Sequence, residues 1–170
     1  MSMQVPFNVR SLFTWKSDRL YRVYHSSGNL YFIRIGGQGG WEHGFHAHPI
    51  ATVIGGLVLG LLKRRTEAKL DQLDHTDPME LVRNHKDSFS LSPSEASETS
   101  IEPRAGLGSH GMQFGRWLLS DYRGAKWCFQ FETLEDMQWA LHILPGFFGE
   151  KLVVNVQWDP KRTQFVRRGQ

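Results

Sequence analysis

The chain has a single cysteine among 170 residues, so no internal disulfide can form and the fold must rest on packing alone. It also has no strong charge of either sign. Twenty Lys and Arg against 17 Asp and Glu leave +3, too small an excess to imply a nucleic-acid partner without a clustered patch. Internal repeats are missing, and nothing at the N-terminus resembles a secretory signal. The longest apolar run, residues 49–62, would make a helix of about 21 Å. A hydrocarbon core is about 30 Å thick, so the run is too short to cross it comfortably. These absences point to a reducing cytoplasm, with membrane association left open. Apolar residues reach only 40%, but six Trp and eleven Phe can fill a core with few residues, and the length suits one domain over 1–170.

The stretch that organises the chain is Lys126 to Leu144. Trp127, Phe129 and Phe131 alternate with Cys128 and Gln130, which predicts a strand with one aromatic face. Leu134, Met137, Leu141 and Leu144, widened by Ala140 and Ile143, predict an apolar helical stripe. Thr133 followed by Asp136 resembles a capping box, and Pro145-Gly146 is expected to stop the helix. The two apolar faces should close on each other.

Leu20–His25 and Leu30–Ile35 read as a hairpin about the turn Ser26-Ser27-Gly28-Asn29. Tyr21 and Val23 would share a face with Tyr31, Ile33 and Ile35. Arg22 and Arg34 would point outward with Phe32, as a solvated face. The run Val5 to Trp15 is apolar enough to pack, but whether it forms a strand is open. Gly36-Gly37-Gln38-Gly39-Gly40 is a break. It has neither the Lys of a P-loop nor a dinucleotide fingerprint, and no cofactor is called for.

His43, His46 and His48 are the one group with metal-ligand residue types. They could converge on an ion with His85 or His110 as a fourth ligand, since zinc takes three or four nitrogens at about 2.0–2.1 Å. The spacing matches no standard signature, and a polar loop leading into a helix is the competing reading.

Pro49 opens a run that is apolar on every side: Ile50, Val53, Ile54, Leu57 and Leu61 among others. Gly56 and Gly60, four apart, leave a strip without side chains where another backbone could approach. Each glycine costs roughly 1 kcal/mol in a helix interior, so packing has to offset it. Three environments would do so: the interior of the same fold, a second copy, or a membrane surface with Lys63, Arg64 and Arg65 at the headgroups.

The helix is expected to continue to Asp74 as an ordinary surface helix. A second short helix follows, with Asp77 as cap, Pro78 at its first position, and Leu81 and Val82 as contacts. Ser88–Ser92 alternates as a short strand. Pro93 to Ile101 reads as an exposed edge and loop. Met112–Leu119 and 126–131 form a second hairpin with a possible bulge at Gly115. Leu152, Val154, Val156 and Trp158 read as one face of a last strand. Lys161, Arg162, Arg167 and Arg168 read as a frayed basic end.

Phe89-Ser90-Leu91, Ser94-Glu95, Asp121-Tyr122-Arg123-Gly124, the aromatic strand and Glu135-Asp136 resemble, in that order, the bacterial PH-like and GRAM-like modules. The resemblance implies an α+β fold: an antiparallel PH-like roll or barrel with a C-terminal capping helix. It implies a binding scaffold with Leu20–Ile35 as the first hairpin, and it carries over no lipid headgroup site, because the loop of that hairpin, Ser26-Ser27-Gly28-Asn29, has no Lys or Arg. Two features depart from it, a helical insertion at about 41–87 and the strand after the helix.

Nothing assembles into a nucleophile–base pair. Cys128 lies mid-strand without a charged sequence neighbour, and Glu135 and Asp136 suit a helix N-terminus. The expectation is therefore a non-catalytic binding module acting on a protein partner or on itself as a homo-oligomer, through residues 49–62. The alternatives are a peripheral membrane module using 49–65 and a His-cluster metal protein. Nucleic acid is not an expected partner.

Overall fold

Ser27 and Gly28 both take positive φ, 49° and 75°, and together form a two-residue turn whose twist matches its flanking strands. That turn fixes the register of everything around it. The structure, a computed structural model, describes residues 5–11, 19–36, 70–104 and 114–169. In chain order it contains β1 (Phe7–Ser11), β2 (Arg19–Ser26), β3 (Asn29–Gly36), helical residues 70–74 (α1), α2 (Pro78–Asn84), β4 (Phe89–Leu91) and β5 (Ala96–Glu102). Next come β6 (Arg116–Asp121), β7 (Lys126–Phe131), α3 (Leu134–Phe148), a 3-10 turn (Gly149–Lys151), β8 (Leu152–Val154), β9 (Val156–Asp159) and β10 (Gln164–Arg167).

The result is a mixed α+β fold, in which a strongly curled half-barrel sheet of eight strands is joined by a C-terminal helix. The order is β4-β3-β2-β1-β7-β6-β5-β8, and β9 and β10 form a separate two-stranded ribbon. Every pairing in the large sheet is antiparallel except β5 with β8. Helix α3 packs against β1, β7 and β8.

The core is aromatic, as the composition implies. Phe32 stacks on Phe89 with centroids 4.4 Å apart, on Phe129 at 5.3 Å and on Trp117 at 5.7 Å. Phe129, Phe131 and Met137 are all fully buried in one cluster, so the strand and helix faces meet as expected. Trp127 and Leu141 sit at its margin.

The helix differs from expectation at its end. It runs through Pro145-Gly146 to Phe148, and Gly149 caps it by donating its N–H to Pro145 O. A proline inside a helix costs about 3 kcal/mol. Burying Phe147 and Phe148 is worth about 1.5–3 kcal/mol each, which offsets it. The buried side is Met137, Ala140, Ile143, Leu144, Phe147 and Phe148, with Leu134 left partly exposed. At the other end Thr133 and Asp136 cap reciprocally: Asp136 N–H donates to Thr133 Oγ1 at 3.0 Å, and that hydroxyl donates to Asp136 Oδ2 at 2.7 Å.

The hairpin faces also need correcting. Val23 pairs with Phe32 and Arg22 with Ile33. Phe32 therefore shares the inner face with Tyr21 and Val23, while Tyr31 and Ile33 join Arg22 outside. The turn keeps His25 opposite Leu30, and in that register each odd-numbered residue of β2 faces an even-numbered residue of β3, so Tyr21 and Val23 cannot share a face with Tyr31 and Ile33. Nor is the outer face solvated: Tyr24, Tyr31 and Ile33 are buried there beneath Leu73 and Leu81, in a second small core.

Further along, β5 is an interior strand between β6 and β8, not an exposed edge. Its inward residues are Ala96, Thr99 and Ile101. Asn155 breaks the expected 152–158 strand in two by donating its N–H to Ile101 O and accepting from Arg168 N–H, both at 2.9 Å. The basic tail is not frayed, since Gln164–Arg167 pairs with β9.

Candidate functional site

The outer face of β2–β3 carries the densest polar network among the described residues. Alternation puts Arg22 and Tyr24 on that face, and the end of α1 brings Asp74 over them, 52 residues later in the chain. Arg22 forks onto the Asp74 carboxylate, Nε to Oδ1 at 2.7 Å and Nη2 to Oδ2 at 2.5 Å. The Tyr24 hydroxyl donates to Asp74 Oδ1 at 2.7 Å. Arg22 Nη1 also donates to Asn8 Oδ1 at 3.2 Å, and the Asn8 backbone N–H donates to Asp136 Oδ1 at 2.6 Å. The chain of contacts thus runs from α1 through the sheet to the N-terminus of α3.

Its electrostatics are those of a clamp. Desolvation pushes the Asp74 carboxyl up, but the hydrogen bonds from Arg22 and Tyr24 and the guanidinium charge outweigh it, so its pKa lies below the usual value. Burial, reinforced by the bond to Asp74, holds the Tyr24 hydroxyl protonated well above its ordinary range. Burial also raises the Asp136 carboxyl, against the hydrogen bonds from Thr133 and Asn8. A paired guanidinium, an ionised carboxylate and a protonated phenol leave no group poised to exchange protons near neutrality.

A second clip lies nearby: Arg34 Nη1 pairs with Asp87 Oδ2, Arg19 Nη1 lies 3.6 Å from Asp87 Oδ1, and Arg34 N–H donates to Ser88 Oγ at 3.0 Å. Between the clips, Asp77 Oδ1 accepts from Met79 N–H at 3.1 Å and caps α2, which lays Leu81 and Val82 on the outer core. The described part of the insertion, residues 70–87, is therefore pinned to the sheet at both ends.

Elsewhere, the outer side of α3 has a shallow depression lined by Leu134, Glu135, Gln138, Trp139 and His142. The Trp139 ring meets His142 edge-on at 6.0 Å. Cys128 is half-buried, and burial raises its thiol pKa while Arg116 pulls it the other way; that is a structural cysteine's setting.

Of the residues singled out from sequence, His43, His46 and His48, the apolar set Ile50, Val53, Ile54, Gly56, Leu57, Gly60 and Leu61, and the basic set Lys63, Arg64 and Arg65 all lie outside the described residues. So does His110, whereas His85 caps the C-terminus of α2. Among the described residues no three His, Cys, Asp or Glu side chains are grouped to hold a metal, and no helix is long and apolar enough to cross a membrane. Sequence reasoning missed Asp74, taken as one more charge on a surface helix. The available signal was Arg22, a cation alternating with aromatic residues on a strand, which requires a carboxylate if that face is covered.

No family model, curated protein or solved structure matches the chain.

Proposed function

We propose that this chain is a non-catalytic, PH-like binding module whose working element is the apolar segment 49–62, offered to a protein partner and in the first instance to a second copy of the chain. The strand order supports the PH-like part: β4-β3-β2-β1-β7-β6-β5 is a seven-strand meander opened between β4 and β5, with α3 directly after β7. On this reading β1 and β2 form the first hairpin, and the hairpin at Ser27-Gly28 is the second. The loop Ser26-Ser27-Gly28-Asn29 therefore belongs to the second hairpin and not to the first.

The observation that carries the reading is the Arg22–Asp74–Tyr24 clamp. It fixes the point where the insertion rejoins the sheet, and the apolar segment ends eight residues before helix α1 is first seen at residue 70. A fixed attachment point at Asp74 suits presentation of a binding surface, because the root itself need not be ordered at the moment of binding. Gly56 and Gly60 supply close backbone approach in that surface. The test is sedimentation velocity on the full chain. An oligomer is expected, and Gly56→Leu with Gly60→Leu should dissociate it. A wild-type monomer at high concentration would overturn the self-association reading.

A further inference from the structure

The resemblance to PH-like modules ends with α3, and the ribbon that follows belongs to no part of it. Residues 156–169 hold Lys161, Arg162, Arg167 and Arg168 against the single carboxylate of Asp159. Four cations less one anion is +3, the formal charge of the whole chain. The rest of the molecule is balanced, and its excess sits on this ribbon. Arg162 lies 3.7 Å from Asp159 while 71% exposed, and Arg167 reaches Glu102 at 3.3 Å while 56% exposed. Lys161 and Arg168 are exposed and have no ion-pair partner among the described residues.

The ribbon is also anchored at its base. Asn155 ties its base to the sheet through Ile101 O and Arg168 N–H, and its Nδ2 donates to Glu102 Oε1 at 2.5 Å. Val156 is buried in the main core and Phe165 packs against it. Trp158 stands beside Phe165, rings edge-on at 5.2 Å, and is still 40% exposed. On the adjoining strand β8, Val153 is 53% exposed. Trp158 is thus held in water on the ribbon that carries the positive charge, and Val153 is exposed on the strand that leads into it.

We propose that the β8–β10 region is a docking site for an anionic lipid bilayer surface. A bilayer presents negative headgroups directly above hydrocarbon, so one surface serves both halves of this patch. Trp is suited to that boundary because its ring is apolar and its N–H polar. Each Lys or Arg close to an anionic leaflet strengthens binding about fivefold, and salt screens it. Nucleic acid would also take the cations and could stack on Trp158. It offers nothing to an exposed aliphatic such as Val153, and on that ground the bilayer is preferred. The site is independent of residues 49–65, so it does not depend on the function proposed above.

The experiment is vesicle co-sedimentation of the full chain. Vesicles of phosphatidylcholine alone are compared with vesicles containing about a third phosphatidylserine, and both with a single-stranded RNA homopolymer at equal phosphate. Binding is expected on the mixed vesicles only, and should weaken at high salt. Lys161→Gln with Arg162→Gln and Arg168→Gln should weaken it about a hundredfold, and Trp158→Ser with Val153→Ser should weaken it without changing its salt dependence. Lys63→Gln with Arg64→Gln and Arg65→Gln should leave it largely in place. The Lys161, Arg162 and Arg168 exchanges should keep the wild-type melting profile, because those side chains are exposed, and the Trp158 and Val153 variant is compared at a temperature where circular dichroism shows it folded. No binding to the mixed vesicles overturns the proposal. So does binding lost with Lys63, Arg64 and Arg65 but kept without the ribbon cations, and so does tighter binding to the RNA than to the mixed vesicles.

Discussion

Met137 occupies the space that a side chain at Gly115 would need: a Cβ there would lie 2.7 Å from both Met137 Sδ and Cε, and 3.1 Å from Glu102 O. Phe131 N–H donates to Gly115 O at 3.1 Å, which holds the two backbones together at that point. A thioether end can swing aside, but a backbone carbonyl cannot.

Gly115→Ala should therefore destabilise the fold by about 1–3 kcal/mol, the usual cost of overpacking. In a Met137→Ala background the added penalty should shrink, because the thioether is gone. Urea unfolding of the four-member cycle measures this, and equal penalties in both backgrounds would show that Met137 is not the obstacle.

Removing one side of the Arg22–Asp74 fork leaves a half-buried cation without its partner. Asp74→Asn should cost about 1.5–3 kcal/mol, the range for hydrogen bonds to charged groups, and Tyr24→Phe about 1 kcal/mol. Because Asp74 secures the insertion, hydrogen exchange over residues 70–84 should rise more than exchange in β6 and β7. Equal change in both regions would make the clamp a global stabiliser only.

Acid should weaken the protein in two stages. The His25 ring lies edge-on to Phe147 at 5.6 Å, and burial lowers its pKa below 6.5. It is neutral in the folded chain and charges more readily in the unfolded one. Its contribution is complete above pH 6.5 and is lost as pH falls through its folded value. Asp74 acts in the same direction lower down: its contribution is complete above the ordinary carboxyl value of 3.8 and is lost as pH falls through its depressed folded value. Asp136, raised by burial, opposes both, because its contribution grows as pH falls toward 3.8. Urea midpoints taken between pH 7 and pH 5 should decline in the wild type and decline less in His25→Gln.

The Trp117 indole N–H donates to Thr99 Oγ1 at 2.7 Å, and that hydroxyl donates to Leu118 O at 3.2 Å. Thr99→Val keeps the shape but leaves a buried donor unpaired, at a cost of about 1–3 kcal/mol. Thr99→Ser should recover most of the loss. No difference between the two variants by thermal melting would remove the hydroxyl from the account.

What the sequence made legible is what packing alone decides. The aromatic alternation of Trp127, Phe129 and Phe131, the Ser27-Gly28 turn and the Asp77-Pro78 cap each declare themselves within a few residues. Elements decided by distant partners were harder to read. β5 has inward positions filled by Ala96, Thr99 and Ile101, a weak signal until β6 and β8 flank it. β10 exists because Phe165 finds Trp158. The helix outlasts Pro145 because Phe147 and Phe148 have a core to enter. Of the candidate site, the clamp was half visible in Arg22, while its acidic partner lay beyond a long insertion.

The position of β1 has a consequence for biosynthesis. It is made before the other described strands, yet it lies mid-sheet, and the partner on its far side, with Val9 opposite Phe131, is made 122 residues later. Until the ribosome has delivered that later strand, the nascent half-sheet carries an open, pairing-competent border, the kind of surface through which incomplete chains adhere to one another.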